Sequence, residues 1–215
     1  MAQGIIRFQD SSEADFLIPN QNGEIIIPRF FNYCNDLCWA RGTDAEGFFI
    51  PFLMTKQGVG DWLIEETVRP AGLESIVQAD VYPTGMSGKG TKRIAVMQSF
   101  EGSGEWYGLL FEESLTPTLL ELAGHDHVAP WAISGNGNFI VGGAANGTDT
   151  PQTAWIRTNA GGMQTLAAYL LGQGLDMSAY DLLIATGISG NGKHIQAYAQ
   201  PSGGGTERLL YITVP

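Results

Sequence analysis

The stretch AISGNGNFIVGGA, residues 132–144, returns as GISGNGKHIQAYA at residues 187–199. Both copies follow Ile-Ser-Gly-Asn-Gly with an alternation of apolar side chains. Two more stretches share the form: GTDAEGFFIPFL from Gly42 and GMSGKGTKRIAVM from Gly85. Each runs from a small residue through any residue, a Ser or Asp and two further residues to a Gly, then into a short apolar strand. The closing glycines Gly47, Gly90, Gly137 and Gly192 lie 43, 47 and 55 residues apart. A Gly in that place suits a hairpin that needs positive φ. The four turns therefore read as copies of one unit.

The segments beyond each turn recur as well. A second apolar strand comes at DWLIEE from 61, GLLFEE from 108, TAWIRT from 153 and RLLYITV from 208. A third segment is present in three copies: GLESIV from 72, TPTLLELAG from 116 and GGMQTLAAYL from 161. GIIRFQ, ADFLIPN and GEIIIPRFF near the N-terminus fit the last three strands of a further copy. Short strands punctuated by turn residues indicate an all-β protein. A period of this length, with about four strands per copy, is that of a propeller blade.

The expected fold is thus a β-propeller-like array of four-stranded repeats in one domain, residues 1–215. The units fall at about 1–35, 36–79, 80–124, 125–171 and 172–215. Five blades fit the length better than four. A linear β-solenoid and a two-sheet sandwich are the alternatives. Phe16, Trp62, Trp155 and Leu210 share one apolar column of the repeat with Leu109, and are expected in the core between blades. The apolar ends, GIIRF and LLYITV, carry strand edges that need covering. They are expected to meet in one blade or to pair with a neighbouring subunit.

Composition narrows the function classes. The chain is 44% hydrophobic and only 15% charged, with 29 Gly and 10 Pro, which favours turns over long helices. Its formal net charge of −11 argues against nucleic acid and anionic membranes, both of which need clustered Lys or Arg. No apolar run approaches the roughly 20 residues of a membrane helix. MAQGIIRFQD has neither the basic nor the apolar region of a signal peptide. Cys34 and Cys38, in CNDLC, read as small buried thiols or as a short-loop disulfide. Two cysteines alone do not make a zinc site. No cofactor is implied.

The C-terminal half resembles the HAF-type extracellular repeat proteins of bacteria. The resemblance rests on Ile133–Gly137, Ile140–Gly142, Ala154–Arg157 and Gly161–Leu166, in that order, and on Gly174–Gly192, which is similar to that family's last repeat. It covers about residues 128–215 and is faint before them. It implies a propeller-like fold and a secreted or cell- or virion-surface location, and specifies no chemistry. Asn136, Asn191 and Lys89 replace the turn carboxylate common in that family, which weakens any reading of the turns as calcium sites.

Candidate chemistry is sparse. Gly124-His125-Asp126-His127 is the one histidine cluster, read as a polar loop before a metal site or a general base. His194 reads as structural. Glu65-Glu66 and Glu112-Glu113 occupy equivalent repeat positions, which suits solvated strand ends better than the two unequal carboxylates of a glycosidase. No catalytic residue and no metal ligand is assigned. Trp39, Trp106 and Trp131 stand outside the core column, and with Tyr82 and Tyr107 they are the candidate ligand-binding face. The leading function is a non-catalytic surface, extracellular or virion-type module for protein assembly or adhesion, its partners other subunits or surface glycans. Homo-oligomerisation is left open. The alternatives are a carbohydrate-binding propeller and a propeller-type glycoside hydrolase, which would draw on Asp36, Asp44, Asp80 and Asp126.

Overall fold

The computed structural model describes residues 37–43, 48–57, 62–68, 70, 72, 73, 76, 78–100, 104–147 and 152–215, with the backbone of three short strands before them. Of those strands, β1 (Ile18–Pro19) pairs antiparallel with β2 (Ile25–Ile26). Four antiparallel sheets come next in chain order. The first holds β3 (Asn32–Cys34), β4 (Leu37–Thr43), β5 (Phe49–Lys56) and β6 (Trp62–Glu66). The second holds β7 (Ala79–Met86), β8 (Lys92–Ser99), β9 (Trp106–Glu112) and β10 (Thr118–Leu120). The third holds β11 (His127–Ile133), β12 (Phe139–Ala145), β13 (Thr153–Thr158) and β14 (Gly162–Thr165). The fourth has three strands, β15 (Tyr180–Ile188), β16 (His194–Pro201) and β17 (Arg208–Thr213). Among the described residues the protein is all-β, with one short helix, α1 (Leu166–Gly172).

Each sheet is a meander in which consecutive strands pair, as the repeat predicts. Three details differ from the sequence reading. The strand β3 pairs with β4, so the first sheet begins before residue 36. Around GLESIV the described residues form turns, with Leu73 N–H donating to Pro70 and Ile76 N–H to Leu73. The segment GGMQTLAAYL divides into β14 and α1. Thr165 caps the helix by accepting from Ala168 N–H at 3.3 Å, and Leu166 and Leu170 lie one turn apart, both fully buried.

The three described copies of the repeat turn close alike. Ser87 C=O accepts from Gly90 N–H at 2.8 Å, Ser134 from Gly137 at 2.9 Å and Ser189 from Gly192 at 2.9 Å. The three glycines have φ of 72°, 72° and 79°, the left-handed region that a Cβ disfavours. Each serine hydroxyl accepts from the first strand residue beyond its turn, Lys92, Phe139 or His194. Gly47 lies outside the described residues.

These turns also touch one another. Gly88 N–H donates to Gly135 C=O at 2.7 Å, and Asn136 N–H donates to Gly190 C=O at 3.1 Å. A Cβ on Gly88 would stand 2.9 Å from that Gly135 oxygen, and one on Gly135 would stand 3.2 Å from Gly190 Cα. The second, third and fourth sheets are therefore joined backbone to backbone at their turns, which sets their strands in step.

Packing then fills the space between sheets. Trp39 and Leu53 of the first meet Ala79, Val81, Ala95, Met97, Leu109 and Phe111 of the second. Ile94 and Leu110 on the opposite face of the second meet Val128, Ile140, Ala144 and Trp155 of the third. Val141, Ala154 and Ile156, with Leu166 and Leu170 from α1, meet Ala185, Ile195, Ala197 and Ile212 of the fourth. Successive strand residues point to opposite faces, so β8, β9, β12 and β13 supply two cores at once. This explains their nearly continuous apolar runs.

The apolar column is visible in the register: Leu109 faces Ala95, Trp155 faces Gly142 and Leu210 faces Ala197. Trp155 is fully buried and Leu210 half-buried. Gly142 makes the slot for the indole, since a Cβ there would stand 2.6 Å from the Trp155 ring. Trp62 pairs with Lys56; its side chain and Phe16 lie outside the described residues. Cys38 is a free thiol within the core, its pKa pushed up to about 12 by burial.

Trp155→Ala should destabilise the fold by about 3–5 kcal/mol in urea unfolding, as large-to-small changes at buried sites do. Tyr211→Ala, in a strand exposed to solvent, should stay within about 0.5 kcal/mol of the parent.

Candidate functional site

The candidate residues separate into four settings. Trp39 is a correction: it is fully buried, stacked edge-on against Phe111 at 5.0 Å, with its indole N–H donating to Ile94 C=O at 3.2 Å. An indole so enclosed offers no face to a ligand. It stands where β4 meets the second sheet and belongs to the core between the two.

Trp131 is 37% exposed. It is the extra residue of a β-bulge, where the register between β11 and β12 shifts from Pro130 to Ala132. Bulges recur at the same distance before the turn in β7, at Thr84, and in β15, at Thr186. A bulge leaves one residue out of the ladder and turns its side chain away from the pleat. The sequence signalled an irregular Trp; the bulge is the reason.

Tyr82 belongs to a polar knot between the first two sheets. Its hydroxyl donates to Asp80 Oδ2 at 2.8 Å, and Phe49 N–H donates to Asp80 Oδ1 at 2.7 Å. The Arg41 guanidinium lies over the rings of Phe49, at 4.1 Å, and Tyr82, at 5.2 Å. Burial, then the hydrogen bond to Asp80, pushes the Tyr82 pKa up to about 12. Asp80 is buried and both its oxygens are engaged, which suits holding two sheets together better than activating a substrate.

Trp106 and Tyr107 open β9 and line a cleft of about 490 Å³ with Glu121, His125 and Asp126. The structure thus gathers two candidate aromatics and the histidine loop, a convergence the sequence did not reveal. Trp106 N–H donates to His127 Nδ1 at 2.9 Å, which leaves the ring proton of neutral His127 on Nε2. His127 is buried by that contact. His125 Nε2 lies 3.0 Å from Thr153 Oγ1. Tyr107 donates to Glu105, and burial with that bond raises its pKa to about 12. The cleft offers aromatic faces and carboxylates, while its histidines serve neighbouring groups.

The remaining acidic candidates are dispersed. Glu112 is tied to Lys92 at 2.9 Å, and that hydrogen bond holds its carboxyl below the usual range. Asp36 and Asp44 lie outside the described residues. Among the described residues, no three His, Cys, Asp or Glu side chains are placed to hold one metal ion. The turn amides are used internally: Asn136 Oδ1 accepts from the Ser134 hydroxyl and Asn138 N–H, and Asn191 Oδ1 from the Ser189 hydroxyl and Lys193 N–H.

No protein-family model matches the chain. No curated protein matches it either. Among solved structures it is similar to TolB from Acinetobacter baumannii, with a TM-score of 0.51 and 10% identity. The likeness covers 93% of this chain and 46% of that one, so this chain spans about half the length of its neighbour. TolB contains a β-propeller. At this identity the likeness concerns the fold alone.

Tyr82→Phe should lower stability by about 1 kcal/mol near neutral pH, by removing one bond to a buried carboxylate. A tyrosine whose folded pKa is raised stabilises the fold below its unfolded value near 10, and that contribution fades as pH rises toward 12. The gap between parent and Tyr82→Phe in urea melts should therefore narrow above pH 10, while Tyr107 titrates alike in both proteins.

Proposed function

We propose that the chain is a propeller-type structural module that assembles with further copies of itself through the fourth sheet. In this reading the four sheets are consecutive blades, and residues before Asn32, including β1 and β2, belong to a fifth. The TolB likeness and the turn-to-turn stacking support that arrangement. A surface or secreted setting is what the resemblance to HAF-type repeat proteins implies.

One observation carries the assembly reading. In the second sheet, Ile94 and its partner Leu110 are buried against the next sheet, and in the third Val141 and Ile156 are buried likewise. The same row of the fourth sheet holds Gln196 and Tyr211, and Tyr211 is 79% exposed. Tyr198 and Leu209, paired in the adjoining row, are exposed too. A face at which earlier sheets bury their side chains here presents two tyrosines and a leucine to solvent. The two rows themselves hold no carboxylate, and the nearest on this face, Asp181 opposite Gln200, accepts from the Ser202 hydroxyl at 3.2 Å.

The double variant Leu209→Glu, Tyr211→Glu tests this by sedimentation over a range of concentrations. The parent should associate, and the variant should remain monomeric with its melting temperature within a few degrees. A monomeric parent whose variant melts much lower would show that the face is covered within one chain, and would end the assembly reading.

A further inference from the structure

A second recess has a lining unlike the cleft at Trp106. It measures about 590 Å³ and lies between the β13–β14 hairpin and α1. Four amide side chains border it, Asn138, Asn159, Gln164 and Gln173, together with the rings of Phe139 and Tyr169. No carboxylate or ammonium is among its lining residues. We propose that this recess is a binding site for a neutral saccharide.

One wall is set in place beforehand. Lys92 Nζ donates to Asn159 Oδ1 at 2.8 Å, and Asn159 Nδ2 donates to Asn138 Oδ1 at 2.9 Å. This chain of bonds holds both amides and leaves the Asn138 amino group with no hydrogen bond among the described residues. The Lys92 charge is balanced by Glu112 at 2.9 Å, so it presents little net charge to a ligand. On the other wall, the side chains of Gln164 and Gln173 make no hydrogen bond among the described residues. Their donors and acceptors are free.

The chemistry selects the ligand class. A sugar hydroxyl both donates and accepts, and a carboxamide does the same through two adjacent atoms. Several amides around one recess therefore match several hydroxyls on one ring. The half-buried rings of Phe139 and Tyr169 offer apolar faces for the C–H side of that ring. A charged ligand would be desolvated here without a counter-ion, at a cost that neutral hydroxyls do not incur. An extended peptide would seek backbone groups at a sheet edge, whereas side chains make these walls.

The test is calorimetric titration of the full chain with cellotetraose, maltotetraose and chitotetraose, each in large excess. At least one should bind saturably. Gln164→Ala and Gln173→Ala break no internal bond, so their melting temperatures should match the parent. Each should weaken binding about tenfold, the loss of a hydrogen bond or two to an oriented ligand. Trp106→Ala, in the other cleft, should bind as the parent does. The proposal is overturned if none of the three sugars binds saturably, if the glutamine variants bind like the parent, or if Trp106→Ala abolishes binding.

Discussion

The backbone contact between neighbouring turns is the constraint on which the rest of the structure depends. Gly88 donates to Gly135, and the next turn repeats the contact with Asn136 and Gly190. Gly88 and Gly135 approach the next turn so closely that a Cβ on either would crowd its backbone. Once they do, the strands leaving each turn start level with those of the next sheet. The alternating side chains of β8, β9, β12 and β13 are then aimed at partners rather than gaps. A Ser hydroxyl braces all three turns from within, and Asn136 and Asn191 add a carboxamide in two of them.

The hydrophobic cores result from that alignment. Because the middle sheets bury both faces, one strand such as β9 serves two interfaces, with Leu109 and Phe111 on one side and Leu110 on the other. Trp155 is admitted because Gly142, opposite it, yields the space for its ring. The Asp80 carboxylate enters with partners, the Tyr82 hydroxyl and the Phe49 amide. A buried carboxylate lacking those donors would cost more than the packing around it returns.

The turns, the meander order and the strand column were legible because each depends on local chemistry. A Gly needing positive φ and a period-two run announce themselves within a dozen residues. The helix α1 was not legible, because LAAYLL reads equally as a short apolar strand, and only the Thr165 cap and the packing of Leu166 and Leu170 decide it. Trp39 was not legible as core because it stands outside the apolar column, and only the packing of β4 against the second sheet buries it. The amide recess was invisible for another reason. Asn138, Asn159, Gln164 and Gln173 are ordinary surface residues in sequence, and they become a set only when the hairpin and the helix bring them to one hollow.

The glycine contact also bears on how such a chain changes its length. At both described joints a backbone N–H of one turn meets a glycine C=O of the next, Gly88 to Gly135 and Asn136 to Gly190, so the two joints are of one kind. Packing runs from each sheet to its immediate neighbours, as in other stacked repeats. A whole unit gained or lost from the interior would leave a joint of the same kind behind. The outward face of the fourth sheet has no such joint among the described residues, and its tyrosines face water.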